Sequence, residues 1–293
     1  MFFTDFRYAV AAKRFCRGIE IADIAKFTLP KSHSAVGYEI SIPHSKFLNL
    51  AKFCPKATFV DISEDIAKIR AVKTPDEISA LKKAIALNDK VWAMARKKFR
   101  HGMTELELAR IIKTLFARHA DGEAFNTIVC VGKNAAECHH EPDGTVWREN
   151  DPLLVDMGLV LEGYCSDMTR NILPKRPTKL YKQVYELVKK ANFEAVKAVK
   201  SHVKASTVDN VARKIITDGG FGKCFGHALG HGVGLQVHEG PVLSKKSDWT
   251  LEEGMIFSIE PGIYLEDNLG VRIEDLVLVT KNGCEVLTRS PKI

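Results

Sequence analysis

The 293-residue sequence predicts an α+β protein: a small α/β unit over residues 1–70, then a larger domain over 71–293 built of two similar halves. Two observations predict this. Capping boxes open helices at Thr74 and at Thr104, and the order helix, helix, strand cluster runs through the larger region twice. A chain of this length can bury a large core, and its 45% hydrophobic and 27% charged residues are ordinary for a globular protein.

In residues 1–70, short apolar runs (Tyr8-Ala-Val-Ala, Ala35-Val-Gly-Tyr, Phe47-Leu-Asn-Leu, Thr58-Phe-Val-Asp) alternate with polar breaks, the texture of a small α/β unit. Thr74-Pro-Asp-Glu77 then places proline at the first position of a helix running to about Lys98. Ile78, Leu81, Ile85, Trp92 and Ala95 share one face of it. Gly102 breaks the pattern, and Thr104-Glu-Leu-Glu107 caps a second helix to about Arg118. Strands are expected at 127–131, 153–156 and 164–167. The second half repeats the scheme with a helix over 178–202, another beginning near Thr207, and strands around 233–238, 255–260 and 271–280.

Composition narrows the classes of function. The net charge is +7, with lysines dense from Lys175 to Lys204, yet no aromatics interleave them as a single-strand nucleic-acid surface requires. A solvated face of an amphipathic helix is the favoured reading, and no nucleic-acid partner is expected. Seven scattered cysteines without a CxxC pair point to free thiols in a reducing compartment. The N-terminus meets Asp5 and Arg7 before any sustained apolar run, so no signal peptide is read there. No run of 18 apolar residues exists to span a membrane. A cytoplasmic location is the expectation.

Five stretches carry the chemistry: Leu154-Val-Asp-Met-Gly158, Cys165-Ser-Asp-Met-Thr-Arg170, Gly230-His-Gly-Val-Gly234, Ser258-Ile-Glu-Pro-Gly262 and Val271-Arg-Ile-Glu-Asp275. A carboxylate inside an apolar strand is costly unless a positive group meets it. Asp156, Asp167, His231, Glu260 and Glu274 together offer four carboxylates and one imidazole, a set suited to a pair of divalent cations. Hard oxygen ligands favour manganese or magnesium, while a single imidazole admits cobalt, iron or zinc. A two-residue turn at Glu162-Gly163 would set Leu161 opposite Tyr164 and Asp156 diagonal to Asp167 on one face. His227-Ala-Leu-Gly-His231 has helical zinc spacing. It lacks the HExxH glutamate, however, and its glycines disfavour a helix, so a single-zinc protease is not expected. Pro261 ends a strand and leaves Glu260 at its tip. Arg272, two residues before Glu274, is placed to keep a metal-binding carboxylate ionised and oriented. The residues read as a two-metal hydrolase.

In this order and spacing the five stretches resemble the metallopeptidases of pita-bread (creatinase/aminopeptidase-like) fold, among them aminopeptidase P, prolidase and methionine aminopeptidase. The similarity covers about residues 70–293. Phe3-Thr-Asp-Phe-Arg7 and the junction Ala71-Val-Lys-Thr-Pro-Asp-Glu-Ile78 further resemble the proline-specific branch, whose extra N-terminal domain is longer than the unit over 1–70 here. That shortened unit leads to the expectation of a more open mouth, accepting longer peptides at least as well as dipeptides. The resemblance implies that Asp156 holds one metal, His231 and Glu260 the other, and Asp167 and Glu274 bridge them. A water between the metals would attack the peptide carbonyl, with Glu260 as proton acceptor and His238 as donor to the developing oxyanion. Arg272 joins the catalytic set, and His227 with His238 faces the substrate. The family histidine after an Asn-Ala-Ala-Leu-Pro run corresponds to His139 in Asn134-Ala-Ala-Glu-Cys-His139, with His140 beside it as the alternative. Leu-Pro has become Glu137-Cys138 here. Cys138 is not expected to pair with His139 as a nucleophile, because neighbours in an extended chain point apart.

What the resemblance implies is a peptidase with two divalent metals per chain, manganese first, with cobalt, zinc or iron as alternatives. It would release the N-terminal residue of a peptide substrate with proline second. A dipeptidase of prolidase type is the nearest alternative, and a metal-free binding module the remote one, since such relatives have lost ligands. A homodimer is left open.

Overall fold

The computed structural model describes residues 1–27 and 35–292; the expected apolar run at 35–38 falls inside this range. The chain divides into two compact units, Met1–Ile66 and Ala67–Ile293.

The first unit pairs short parallel strands around helices: Phe2–Thr4 with Ile21–Asp23, and Ala35–Tyr38 with Thr58–Asp61. Helices Phe6–Phe15 and His44–Phe53 make the crossovers that parallel strands require. Asp5 caps the first of them through the backbone N–H of Arg7. Phe47 packs its ring against Tyr38 and Phe59, tying the second helix to its strands.

In the larger unit both capping boxes form. Thr74 opens the helix Pro75–Arg96, and Thr104 opens Glu105–His119. Leu81, Ile85, Trp92 and Ala95 are buried on the inner face of the first. An antiparallel sheet follows, ordered Thr169–Ile172, Leu153–Asp156, Ile128–Val131. Glu162 and Gly163 both take positive φ (53° and 84°), the geometry of a tight hairpin turn. Leu161 therefore faces Tyr164 and Asp156 faces Thr169, the register predicted from that turn.

Helices Lys179–Ala198 and Ala205–Asp218 begin the second half, and Lys179, Lys182, Lys189, Lys190 and Lys197 lie on the solvent-facing side of the first, none of them buried. A five-stranded sheet runs Glu239–Leu243, Gly230–Gly232, Ile256–Ile259, Asp275–Thr280, Gly283–Val286. Two expectations need correcting. The strand expected at 233–238 is a loop between two strands, because the pairing shifts register at His231/Gly232 and Gly232 meets Glu239. The run 271–280 is two strands, Leu269–Arg272 and Asp275–Thr280, broken around Glu274.

Each half has its own apolar core, and a third cluster including Leu81, Ile85, Val233, Ile256 and Leu276 joins them. Arg170 crosses the same seam. Its guanidinium, 2% exposed, donates to the carbonyls of Thr169, Glu274 and Ser290 and to Asp275 Oδ1. A buried guanidinium is tolerable only when its donors are met in this way.

Candidate metal centre

Asp156 ends the strand Leu153–Asp156, and Asp167 follows the hairpin two residues before the strand Thr169–Ile172, so the period of two turns both carboxylates to one face. Val155, Met157 and Met168 beside them are buried, and the carboxylates are only 9% and 5% exposed. His231 lies mid-strand in Gly230–Gly232. A Cβ on Gly230 would stand 1.9 Å from the Ser258 carbonyl oxygen, so only glycine lets this strand lie against its neighbour. Glu260 emerges where Pro261 ends the next strand, and Glu274 sits at the break after Arg272.

These five residues converge. Ligand atoms of Asp167, His231 and Glu274 all lie within 4.8 Å of one another. His231 Nε2 is 3.2 Å from Glu260 Oε1 and 3.7 Å from Asp167 Oδ2. Its Nδ1 donates to the Gly232 carbonyl at 3.2 Å, which turns Nε2 toward the carboxylates. Arg272 binds Asp156 Oδ2 at 2.6 Å and Thr169 Oγ1 at 3.0 Å, and Thr169 donates to Glu274 Oε2 at 2.8 Å. The arginine's carboxylate partner is thus Asp156, with Glu274 reached through Thr169.

One oxygen each of Asp156, Asp167 and Glu274 is buried without a hydrogen-bond partner among the described residues. Three such oxygens beside an imidazole fit a divalent cation, since anionic oxygens are not left unpaired at this depth without compensation. Burial first, then the charges of neighbouring carboxylates, pushes Asp167 and Glu274 well above their ordinary values. Burial also raises Asp156, against the pull of Arg272. Burial would raise Glu260 too, but the hydrogen bond and charge of His231 outweigh it and hold Glu260 down at about 2.

A pH dependence follows for the protein stripped of cations. Asp167 and Glu274 bind protons more tightly folded than unfolded, so between the ordinary carboxylate value of about 4 and their raised values stability falls as pH rises. The slope is at most about 1.4 kcal/mol per pH unit per group. Glu260, held low, makes stability pH-dependent only between about 2 and the ordinary carboxylate value, below this window. In chelator, the thermal midpoint should fall from pH 5 to pH 8, and Asp167→Asn should flatten the trend. A midpoint that rises over that range would contradict this account of the buried charges.

The histidines divide. His139 and His238 are exposed on a cavity of about 420 Å³ that also meets the five converging residues. His238 stacks edge-on against His231, centroids 4.2 Å apart, and burial with the His231 charge lowers its pKa. His140 is buried and committed elsewhere, Nε2 to Glu105 at 2.8 Å and Nδ1 to Glu137 at 3.2 Å. His227 lines the cavity with both nitrogens engaged: Nδ1 with the Ala228 carbonyl at 2.7 Å, Nε2 with the Tyr264 hydroxyl at 2.9 Å. Burial lowers its pKa, so it is a neutral ring accepting from Tyr264, whose oxygen in turn accepts from Arg272 at 3.0 Å.

Tyr264 escaped sequence reasoning. The available signal was period two, since Glu260, Gly262 and Tyr264 alternate along one stretch. Thr169 and Ser258 carry no sequence signal of their part in the site; Ser258 Oγ accepts from the His231 backbone N–H and donates to Glu260 Oε1, both at 3.0 Å. A second acidic group, Glu105, His140 and Asp143, also clusters within 4.8 Å. Both Glu105 oxygens are already taken, by the N–H groups of Val131, Asn134, His140 and Asp143 at 2.6–3.0 Å. That group anchors the loop bearing His139.

Carboxylates, one imidazole and an arginine on a common cavity make a candidate metal site. The sequence model of metallopeptidase family M24 matches residues 79–281, and the chain belongs to that family. It is similar to an uncharacterized peptidase of Staphylococcus epidermidis, 40% identical over 80% of this chain and 67% of the relative. Among solved structures it resembles the prolidase from Pyrococcus furiosus (TM-score 0.92, 32% identity, 99% of this chain, 87% of that one). It also resembles the X-Pro aminopeptidase from Thermotoga maritima (TM-score 0.88, 33% identity, 99% and 86%). The catalytic region has the pita-bread fold of these proteins. Among the described residues no helix is long and apolar enough to cross a membrane.

Proposed function

We propose that the chain is a proline-specific metallo-exopeptidase that cleaves the bond between an N-terminal residue and a following proline. The observation that carries this reading is the set of buried oxygens on Asp156, Asp167 and Glu274 that lack a hydrogen-bond partner among the described residues, the latter two carboxylates clustered with His231. The proline preference is supported by the solved relatives, described as prolidases and an X-Pro aminopeptidase. Asp156, Asp167, His231, Glu260 and Glu274 would hold two divalent cations, manganese by the preponderance of hard oxygen donors. Such cations supply Lewis-acid charge and lower the pKa of water.

The chain's own groups do the rest. Glu260, at the strand tip beside His231 Nε2, accepts the proton of the attacking water. Arg272 keeps Asp156 ionised and, through Thr169 and Tyr264, fixes Glu274 and His227. His238 and His139 face the cavity and donate to the carbonyl oxygen as charge develops on it. The free thiols support a cytoplasmic setting.

The leading reading is an Xaa-Pro aminopeptidase. A dipeptidase is the second, favoured by the likeness to the Pyrococcus furiosus prolidase. The manganese-loaded protein should hydrolyse a pentapeptide with proline second at least as efficiently as the dipeptide sharing its first two residues. Comparing kcat/KM on the pair decides between them: strong preference for the dipeptide assigns prolidase, and no cleavage of either overturns the proline-specific reading.

A further inference from the structure

The junction before the first long helix is strongly marked in sequence yet contributes no ligand. Its residues Arg70 and Lys73 instead converge on one carboxylate more than 160 positions away. Arg70 Nη2 donates to Glu239 Oε2 at 2.7 Å, and Lys73 Nζ to Glu239 Oε1 at 2.9 Å. The Lys73 and Glu239 side chains are 2% and 7% exposed. Glu239 directly follows His238, and its Oε2 also accepts the backbone N–H of Gln236 at 3.3 Å, closing the loop that carries the histidine. A Cβ on Gly234 would stand 2.4 Å from Glu239 Oε1, so the loop has no slack around this carboxylate.

Lys73 is fixed from its other side. Its backbone N–H donates to the Gly254 carbonyl at 3.2 Å, and Val72 bridges Met255, next to the strand Ile256–Ile259 that leads to Glu260. The His238 ring, by contrast, has no hydrogen-bond partner among the described residues, only its edge contact with His231. Its placement on the cavity is therefore set by its backbone.

We propose that Arg70, Lys73 and Glu239 form a clamp that fixes the His238 loop at a set distance from the Glu260 strand, making Glu239 a positioning residue for catalysis. This rests on the reading of His238 as a donor to the reacting carbonyl. A purely structural ion pair would stabilise the fold without acting through His238, and the two are separable.

The test uses the full chain. In metal-free protein labelled with ¹⁵N-histidine, the His238 imidazole signal, identified by its loss in His238→Ala, should shift or broaden in Glu239→Gln, while His101 and His202 signals hold. Arg70→Gln, on the more exposed arm, should produce the same change to a lesser degree and covers the case in which Glu239→Gln folds poorly. In manganese-loaded protein, Glu239→Gln should lower kcat by about 10–100-fold, the usual loss for a group that orients a catalytic residue. In a His238→Ala background the same substitution should cost less than about 3-fold, because groups acting as one unit are not additive. An unmoved His238 signal, or an equal loss in both backgrounds, overturns the clamp alone. Full activity of His238→Ala overturns the reading of His238 itself and removes the clamp from catalysis.

Discussion

Asp167→Asn is expected to abolish turnover, a loss of about four orders of magnitude or more given the several kcal/mol that metal charge supplies to such reactions. The substitution is nearly isosteric, so packing against Met168 is kept while one anionic charge disappears. Asp167 stands 3.7 Å from His231 Nε2 and shares a cluster with Glu274. An amide cannot serve two cations as a carboxylate does. The purified parent should carry two divalent ions per chain by elemental analysis, and the variant fewer. Full activity in the variant, or in the parent after exhaustive chelation, rules out the two-metal reading.

His238→Ala should lower kcat by about two to four orders of magnitude, the range for losing a proton donor or oxyanion partner. Metal content should stay near that of the parent, because the ring faces the cavity and touches the cluster only through the edge of His231. If metal and activity are lost together, His238 is a ligand or a support of one, and its role here is wrong.

The carboxylate cluster was legible because each member lies in or beside an apolar, strand-like run, and an anion there demands an explanation. The hairpin register was legible for a different reason: Glu162-Gly163 leaves one tight turn, and period two does the rest. The loop at 233–238 misled, since Val233, Leu235 and Val237 alternate as a strand would. What breaks it is Glu239 accepting from Gln236 and the register shift at Gly232, neither of which has a sequence signature. Thr169 reads as an ordinary strand residue, and only the fold shows Arg272 and Glu274 on either side of it. Glu105 likewise reads as a helix-opening acid, while its four donors come from the end of a strand and the loop after it, 26–38 positions away. Local chemistry announces itself in sequence; partnerships formed across the fold do not.

Arg170 carries a consequence for the order in which the protein is made. Its acceptors at Glu274 and Ser290 lie 104 and 120 positions downstream. On the ribosome, the first half emerges with this guanidinium bare and with Asp156 lacking its Arg272. Closing so large a loop is slow, and its entropy is spent before any contact across it forms. The partners of this guanidinium are therefore complete only when residues from both halves, Ser290 included, are folded together.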